Sequence, residues 1–424
     1  MTEAGISNTI KHMLISALLP AEGMPVPNVV RGVNELGKLC SKLNLKNMLL
    51  VSDKILVKLG LIKKCTDDLK RANVNFFLFD EVVPNCPEKL INMGYNMYKR
   101  NKCDGIIAVG GGSSMDCAKV IGAKIANPDK SIESFVGSFN VSKRDEKRVA
   151  MYPPLIAIPT TAGTGSETTI VAVVHFEKSG LKEVITDSVL VPKYAVLDAD
   201  LTRSLPKHIT ATTGMDALTH AIESYLSTWA NERTKEYSLK AVKQIGQSLM
   251  TCYHYPKNTE ARSMMLQASF DAGVAFTNTS VGYVHAIAHT LGAFFGVPHG
   301  AANAMILPLV LDFYLDKCMD KFCDLAVALG IATSVPEDIR EKKVLAQNFV
   351  RKIREMNAAM QIQTEVKDMC VQDVDRVVTR AMVEAHGKGS TFNPFDAGYP
   401  VPTYLTRAHL TQIVNNIVPK VSKL

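Results

Sequence analysis

From about residue 34 to residue 198, short apolar runs alternate with longer stretches whose apolar positions recur every three or four residues. Asn34 to Leu43 has the helical period. Asn47-Met-Leu-Leu-Val-Ser-Asp53 is a short apolar run ending in polar residues, the pattern of a parallel strand buried on both faces with its C-terminal end at a ligand crevice. The alternation predicts a helix over Leu56–Ala72, a strand over Asn75–Phe79, a helix over Pro87–Arg100 and a strand over Gly105–Val109. A helix from about Met115 to Ala126, a strand over Pro154–Ile158 and a last strand over Tyr194–Asp198 follow. Such a succession implies a doubly wound, mostly parallel α/β domain of Rossmann-like type. Pro20, Pro25 and Pro27 restrict any strand near the N-terminus to a sheet edge.

After Pro206 the pattern changes. From His208 onward it is almost wholly helical, with apolar spacing of three and four through Ala221–Leu226, Met264–Ala275, Ala304–Tyr314 and Val344–Met356. The expected boundary lies near Arg203–Lys207, giving an α/β domain over residues 1–205 and an all-α domain over residues 206–424. A chain of 424 residues is too long for one ordinary core, which agrees with two domains.

The composition, 47% hydrophobic and 21% charged, is that of a globular enzyme. The net charge of +7 is scattered along the chain. Its densest run, Lys143-Arg144 with Lys147-Arg148, is interrupted by Asp145 and Glu146 and reads as a solvated loop, so no nucleic-acid partner is expected. No apolar span of about eighteen residues occurs and the N-terminus lacks a secretory core, so neither a membrane span nor export is expected. The nine cysteines are odd in number and form no Cys-x-x-Cys. They point to a reducing compartment, the cytoplasm, and leave any metal to nitrogen and oxygen donors.

Two loops and one histidine cluster carry the candidate chemistry. The strand ending at Val109 runs into Gly110-Gly111-Gly112-Ser113-Ser114 and then a helix, an arrangement that brings backbone N–H groups close to a pyrophosphate. It is not the Gly-x-Gly-x-x-Gly fingerprint, and the usual acidic residue about twenty positions on is missing. The strand ending at Ile158 runs into Pro159-Thr160-Thr161-Ala-Gly-Thr164-Gly-Ser166-Glu167, a second small, hydroxyl-rich loop suited to a nucleotide. Further on, Asp216 and His220 stand four apart on a helical stretch, as do His285 and His289, and His299 follows Pro298 where a helix should restart. Three imidazoles and one carboxylate fill most of the shell of Fe²⁺ or Zn²⁺ and leave room for a substrate. Spacing does not choose which of the four histidines stands aside. Read alone, either pair is more often structural than ligating; two pairs together point to metal.

The conjunction of Gly110-Gly-Gly-Ser-Ser-Met-Asp116, Pro159 to Glu167, Gly214-Met-Asp-Ala-Leu-Thr-His-Ala-Ile-Glu223, Gly282-Tyr-Val-His-Ala-Ile-Ala-His289 and Pro298-His-Gly300 resembles the iron-containing (group III) alcohol dehydrogenases. The resemblance runs in order over roughly residues 45 to 310. It implies a dehydroquinate synthase-like architecture, NAD as cofactor, and a divalent metal with Fe²⁺ ahead of Zn²⁺. Asp216, His220, His285 and His299 become the ligands and His289 a proton-relay residue. The pyrophosphate contacts fall on Gly110, Gly111, Gly112, Ser113 and Ser114, and the adenosine and nicotinamide contacts on Thr160, Thr161 and Ser166, with Thr164 beside them and Lys182 beyond. The family's acid after the first strand falls on Asp53, whose alternative role is to cap the following helix.

The implied reaction is hydride transfer between nicotinamide and a small primary alcohol, diol or aldehyde, in a homodimer or larger homo-oligomer. The chain departs from the family pattern at Val30-Arg-Gly-Val33 and at Asn231-Glu232, while Thr391-Phe-Asn-Pro394 resembles a pocket-closing segment. The rival readings are a fold-related NAD- and metal-dependent lyase, a hydroxyacid–oxoacid transhydrogenase, and a non-enzymatic assembly subunit. A phosphorylated substrate would need clustered Lys and Arg near the ligands. Thr219, Tyr225, Phe276, Tyr283, Phe294 and Phe295 stand there instead.

Overall fold

Successive strand residues face opposite sides of a sheet, and this alternation gives the first of two compact units, Met24–Ser204, a core on each face of its central sheet. The computed structural model describes residues 23–84, 86–143, 145–178, 180–387 and 398–419. Its strands are β1 (Asn28–Arg31), β2 (Asn47–Val51), β3 (Asn75–Phe79), β4 (Gly105–Gly110), β5 (Gly137–Ser138), β6 (Leu155–Pro159), β7 (Val171–Phe176), β8 (Leu181–Thr186) and β9 (Tyr194–Leu197). The six-stranded sheet has the order β1-β9-β6-β4-β2-β3, and every pairing in it is parallel. Leu49, Val51, Ile106, Ala108, Leu155 and Ala157 pack on one face, and Met48, Leu50, Ile107, Val109, Ile156 and Ile158 on the other.

The helices of this unit are α1 (Leu36–Lys42), α2 (Lys54–Lys58), α3 (Lys63–Arg71), α4 (Glu88–Arg100), α5 (Gly112–Ala126) and α6 (Glu146–Met151). Ile91 of α4 and Met115, Val120 and Ile121 of α5 cover the first face; Leu36 of α1 and Leu69 of α3 cover the second. Helices on both faces make the sheet doubly wound, as its apolar strands predict. β1 is an edge strand, in keeping with the prolines before it.

Three local readings need correction. The single helix expected over Leu56–Ala72 is two, α2 and α3. Gly60 adopts φ +72°, the Leu61 N–H reaches the Leu56 carbonyl at 3.0 Å and the Gly60 N–H reaches that of Val57 at 2.9 Å, a Schellman stop inside an apolar stretch. Helix α5 begins at Gly112 rather than near Met115, so Ser113 and Ser114 lie in its first turn. A second sheet, β5-β8-β7, contains an antiparallel β7–β8 hairpin that helix-and-strand counting passed over. Val171-Ala-Val-Val-His-Phe176 and Leu181-Lys-Glu-Val-Ile-Thr186 carry β-branched residues on either side of Gly180 but no alternation of polar and apolar positions, so the sequence signal for it was weak.

The second unit runs from Leu205 onward. It comprises α7 (Lys207–Leu226), α8 (Glu232–His254), α9 (Thr259–Thr279), α10 (Tyr283–Phe295), α11 (His299–Tyr314), α12 (Met319–Ala328), α13 (Ile339–Ala359), α14 (Val374–His386) and α15 (Arg407–Asn415). Helix α7 is its centre, buried on nearly every side from Thr210 to Leu226. A helix buried on all sides belongs inside a bundle, and α8, α9 and α11 pack against it. Asn231 and Thr234 form a reciprocal cap at the start of α8, which shows why the chain tolerates Asn231-Glu232 there. Thr391–Pro394 lies outside the described residues. Among the described residues no helix is long and apolar enough to cross a membrane.

Candidate metal centre and nucleotide site

In the second unit, three helices deliver the donor atoms. Asp216 and His220 leave one face of α7, and His285 lies in the first turn of α10. His299 is the first residue of α11, where Pro298 occupies the cap position. Gly300 allows that start to abut α7, since a Cβ there would lie 2.4 Å from the Thr212 carbonyl oxygen. One ligand atom from each of Asp216, His220, His285 and His299 falls within 4.8 Å of all the others. Asp216 Oδ1 stands 3.9 Å from His220 Nε2, 4.0 Å from His285 Nε2 and 3.4 Å from His299 Nε2. Donors about 2.1 Å from a tetrahedral ion stand about 3.4 Å apart, so the set holds one after contracting by about 1.4 Å at its widest.

The electrostatics suit a cation. Burial and the neighbouring histidines hold His285 well below the ordinary histidine range, and burial lowers His299 as well, so both are neutral and offer a lone pair. The Asn303 amide nitrogen is 2.7 Å from Asp216 Oδ1 and 3.1 Å from both His285 Nε2 and His299 Nε2. Its partly positive N–H group therefore lies where three acceptor atoms converge, while its own buried Oδ1 is without a partner. Phe276 stacks on His220 with ring centroids 4.2 Å apart and supplies an apolar wall. The Tyr225 hydroxyl is engaged by Asp324 at 2.6 Å, and Arg376 lies over the rings of Phe294 and Phe295.

His289 stands one turn along α10 from His285, its ring stacked on His299 at 5.2 Å. Its Nδ1 is 2.6 Å from Glu384 Oε1, which also accepts from the Tyr399 hydroxyl at 2.6 Å. Burial opposes protonation of His289, but the Glu384 carboxylate outweighs it and raises this histidine above its ordinary value. The behaviour is opposite to that of His285 and His299. Forty-two per cent of the His289 side chain remains accessible, so a proton held there can reach solvent.

In the first unit the two candidate loops face each other. The Thr160 N–H donates to the Gly110 carbonyl at 3.0 Å. A Cβ on Gly111 would touch Thr161 and one on Gly112 would touch Thr164, both at 3.5 Å. Gly110 has φ +157°, and a Cβ there would lie 2.6 Å from that of Ser114, so no larger residue fits without displacing the turn. The first turn of α5, at Gly112, Ser113 and Ser114, offers N–H groups with no partner inside the helix, and Thr161 and Thr164 are half-buried at the loop surface. These are the donors and the small residues that a pyrophosphate requires.

The other predicted nucleotide residues are placed less simply. Thr160 is buried, and Ser166 spends its hydroxyl on Asp116 Oδ1 at 3.1 Å. Lys119, fully buried on α5, donates to Thr169 Oγ1 at 2.7 Å, to the carbonyls of Thr169 and Val171 at 2.9 and 2.8 Å, and to Ser166 Oγ at 3.2 Å. Asp116 also accepts from the Val173 N–H at 3.2 Å. Burial lowers the Lys119 ammonium to about 8 and pushes the adjacent Glu167 carboxyl up to about 7. This buried network fixes the Thr160–Glu167 loop onto the helix that starts at Gly112. Lys182 lies exposed on β8 opposite His175. Asp53 caps α2, with Oδ1 accepting from the Ile55 and Leu56 N–H groups at 2.9 Å each; neither bond uses Oδ2.

The comparisons agree with this geometry. Residues 28–199 match the family description "Iron-containing alcohol dehydrogenase", and residues 210–398 match "Fe-containing alcohol dehydrogenase family, C-terminal". The chain belongs to the iron-containing alcohol dehydrogenase family. It is 38% identical over 310 residues to alcohol dehydrogenase 4 of Schizosaccharomyces pombe, covering 71% of each chain. It is 35% identical over 285 residues to the NAD-dependent methanol dehydrogenase of Bacillus methanolicus, covering 67% of this chain and 73% of that one. The crystal structure of a 1,3-propanediol oxidoreductase superposes with a TM-score of 0.82 at 31% identity, covering 92% of this chain and 98% of that one.

Two carboxylates without a role in the sequence analysis contact histidines of the cluster: Glu223 at His285 and Glu384 at His289. Glu223 was legible, since it continues the Asp216–His220 face of α7 by three more positions. Glu384 was not, because 95 positions separate it from His289 and no local pattern joins them.

Proposed function

We propose that this iron-containing alcohol dehydrogenase interconverts small primary alcohols or diols and their aldehydes with NAD(H), using a divalent metal held by Asp216, His220, His285 and His299. The observation that carries the reading is the convergence of one carboxylate and three imidazole donors within 4.8 Å. Fe²⁺ is the first candidate and Zn²⁺ the second. A divalent ion held there would supply Lewis-acid polarisation of the alcohol or aldehyde oxygen, and bound NAD(H) would supply the hydride chemistry.

The remaining work falls to side chains. His289 holds the alcohol proton at its Nε2, because Glu384 engages Nδ1. Phe276 keeps water from the side of the site next to His220. Gly110, Gly111, Gly112, Ser113 and Ser114 bind the pyrophosphate through backbone N–H groups. Thr161 and Thr164 complete the nucleotide contacts at the loop surface, with Thr160 and Ser166 holding that loop from beneath and Lys182 reaching from β8, and Asp53 accepts from the adenosine ribose through the carboxylate oxygen its cap leaves over. The α/β unit is thus the dinucleotide domain and the helical unit the metal and substrate domain. A cytoplasmic location fits the cysteines, all of which are free thiols, and a homodimer or larger homo-oligomer is part of the same reading on family resemblance alone.

The test is NADH consumption by protein reconstituted with Fe²⁺ or Zn²⁺ across lactaldehyde, glycolaldehyde and butyraldehyde, with metal content measured in parallel. Metal-dependent turnover with at least one of them is expected. A metal-loaded protein that oxidises no added NADH but transfers hydride between a hydroxyacid and an oxoacid would favour the transhydrogenase reading.

A further inference from the structure

Helix α7 places Asp216, His220 and Glu223 at intervals of four and three residues, so all three side chains leave one face. The first two reach into the ligand cluster. The third, buried with 8% of its surface exposed, crosses to α10. Its Oε1 accepts the Val284 N–H at 2.8 Å, and its Oε2 lies 2.5 Å from His285 Nδ1. Gly282 makes the approach possible, since a Cβ there would stand 2.8 Å from Glu223 Oε1.

Two consequences follow from these contacts. An imidazole whose Nδ1–H donates a hydrogen bond to a carboxylate keeps its lone pair on Nε2, and Nε2 is the His285 atom that faces Asp216. A carboxylate bound to an N–H at the start of a helix also fixes that helix against the one carrying the carboxylate. Glu223 thus sets both the ring orientation of His285 and the register of α10 on α7, the helix that supplies two other donors.

We propose that Glu223 is a positioning residue of the metal centre, holding His285 in the Nδ1–H tautomer and locking the first turn of α10 to the Asp216–His220 face. The proposal rests on the metal reading above. A carboxylate behind a ligating histidine typically contributes 10- to 100-fold to metal affinity. Glu223→Gln retains size and hydrogen bonding but can donate to Nδ1, which moves the ring proton to Nε2, where it competes with the ion.

The experiment titrates apo wild type and Glu223→Gln with Co²⁺ against a chromophoric chelator. Thermal unfolding of both apo-proteins is followed in parallel, and the His285 tautomer is read from long-range ¹H–¹⁵N spectra of histidine-labelled protein. Expected are an unfolding temperature of apo Glu223→Gln close to wild type, about 10- to 100-fold weaker Co²⁺ binding, and a shift of the His285 proton toward Nε2. Wild-type affinity and tautomer in the folded variant overturn the proposal and leave Glu223 a packing residue. Should Glu223→Gln fail to fold, Gly282→Ala decides by the same readouts, because it keeps every donor and displaces only the carboxylate. A wild-type protein that binds no Co²⁺ would instead defeat the metal reading itself.

Discussion

His289 Nδ1 lies 2.6 Å from Glu384 Oε1, and the same oxygen accepts from Tyr399. The carboxylate raises His289, whereas His285 and His299 lie below the ordinary range. Histidines in one cluster are thus divided: burial, aided at His285 by its histidine neighbours, keeps two of them lone-pair donors, and the Glu384 carboxylate makes the third a proton holder. Replacing Glu384 by Gln should lower kcat about tenfold or more, up to the roughly 100- to 10,000-fold that general acid–base catalysis contributes in full, and leave metal content near wild type. Steady-state kinetics with elemental analysis checks this, and loss of metal would place Glu384 in the ligand architecture instead.

His285→Ala should lose metal and activity together, because three remaining donors hold an ion far more weakly than four. His289→Ala should keep its metal and lose rate. Elemental analysis of the two purified variants separates the roles, and a metal-free His289→Ala would show that ligand and relay have been exchanged.

Asp53 bears on the choice between NAD and NADP. Lys54, the nearest cation in sequence, is paired with Glu81 at 2.6 Å, so its charge is already countered. A 2′-phosphate would then meet the Asp53 carboxylate with little relief. Asp53→Gly should raise kcat/KM with NADPH about tenfold or more relative to NADH, at some expense to the start of α2, whose cap it removes. Equal use of NADPH and NADH by the wild-type protein would refute the assignment.

Glu167 gives a pH dependence of stability separate from the metal. Burial pushes its carboxyl from 4.5 up to about 7, and its Oε1 has no hydrogen-bond partner. Between those values the folded protein holds a proton that the unfolded chain has released. Its contribution to stability therefore declines as pH rises from about 4.5 to about 7 and stays low above that. Glu167→Gln should unfold near the wild-type temperature at pH 4.5 and at a higher temperature, by about 2 °C or more, at pH 7.5. Thermal melts of the apo-proteins at the two pH values check it; a gap that does not widen with pH would mean that Glu167 ionises normally in the fold.

The sequence by itself determined the features that repeat locally. Buried parallel strands announce themselves as apolar runs, and the β2, β4 and β6 segments stand where those runs predict because each strand must cover cores on both faces. The spacing of Asp216 with His220, and of His285 with His289, follows from helical geometry, and the glycine and threonine loops from what a strand-to-helix turn permits. The stop at Gly60 was written there too, in a glycine, but within an apolar stretch that a longer helix would also explain, and the hairpin of β7 and β8 showed only as β-branched residues around Gly180. Tertiary structure alone decided which groups meet across the chain. Lys119 reaches Thr169, Glu223 reaches His285 and Glu384 reaches His289 because helices and loops far apart in sequence pack together. A buried carboxylate or ammonium is recognisable only by the partner that packing brings within about 3 Å, and no local pattern encodes that partner.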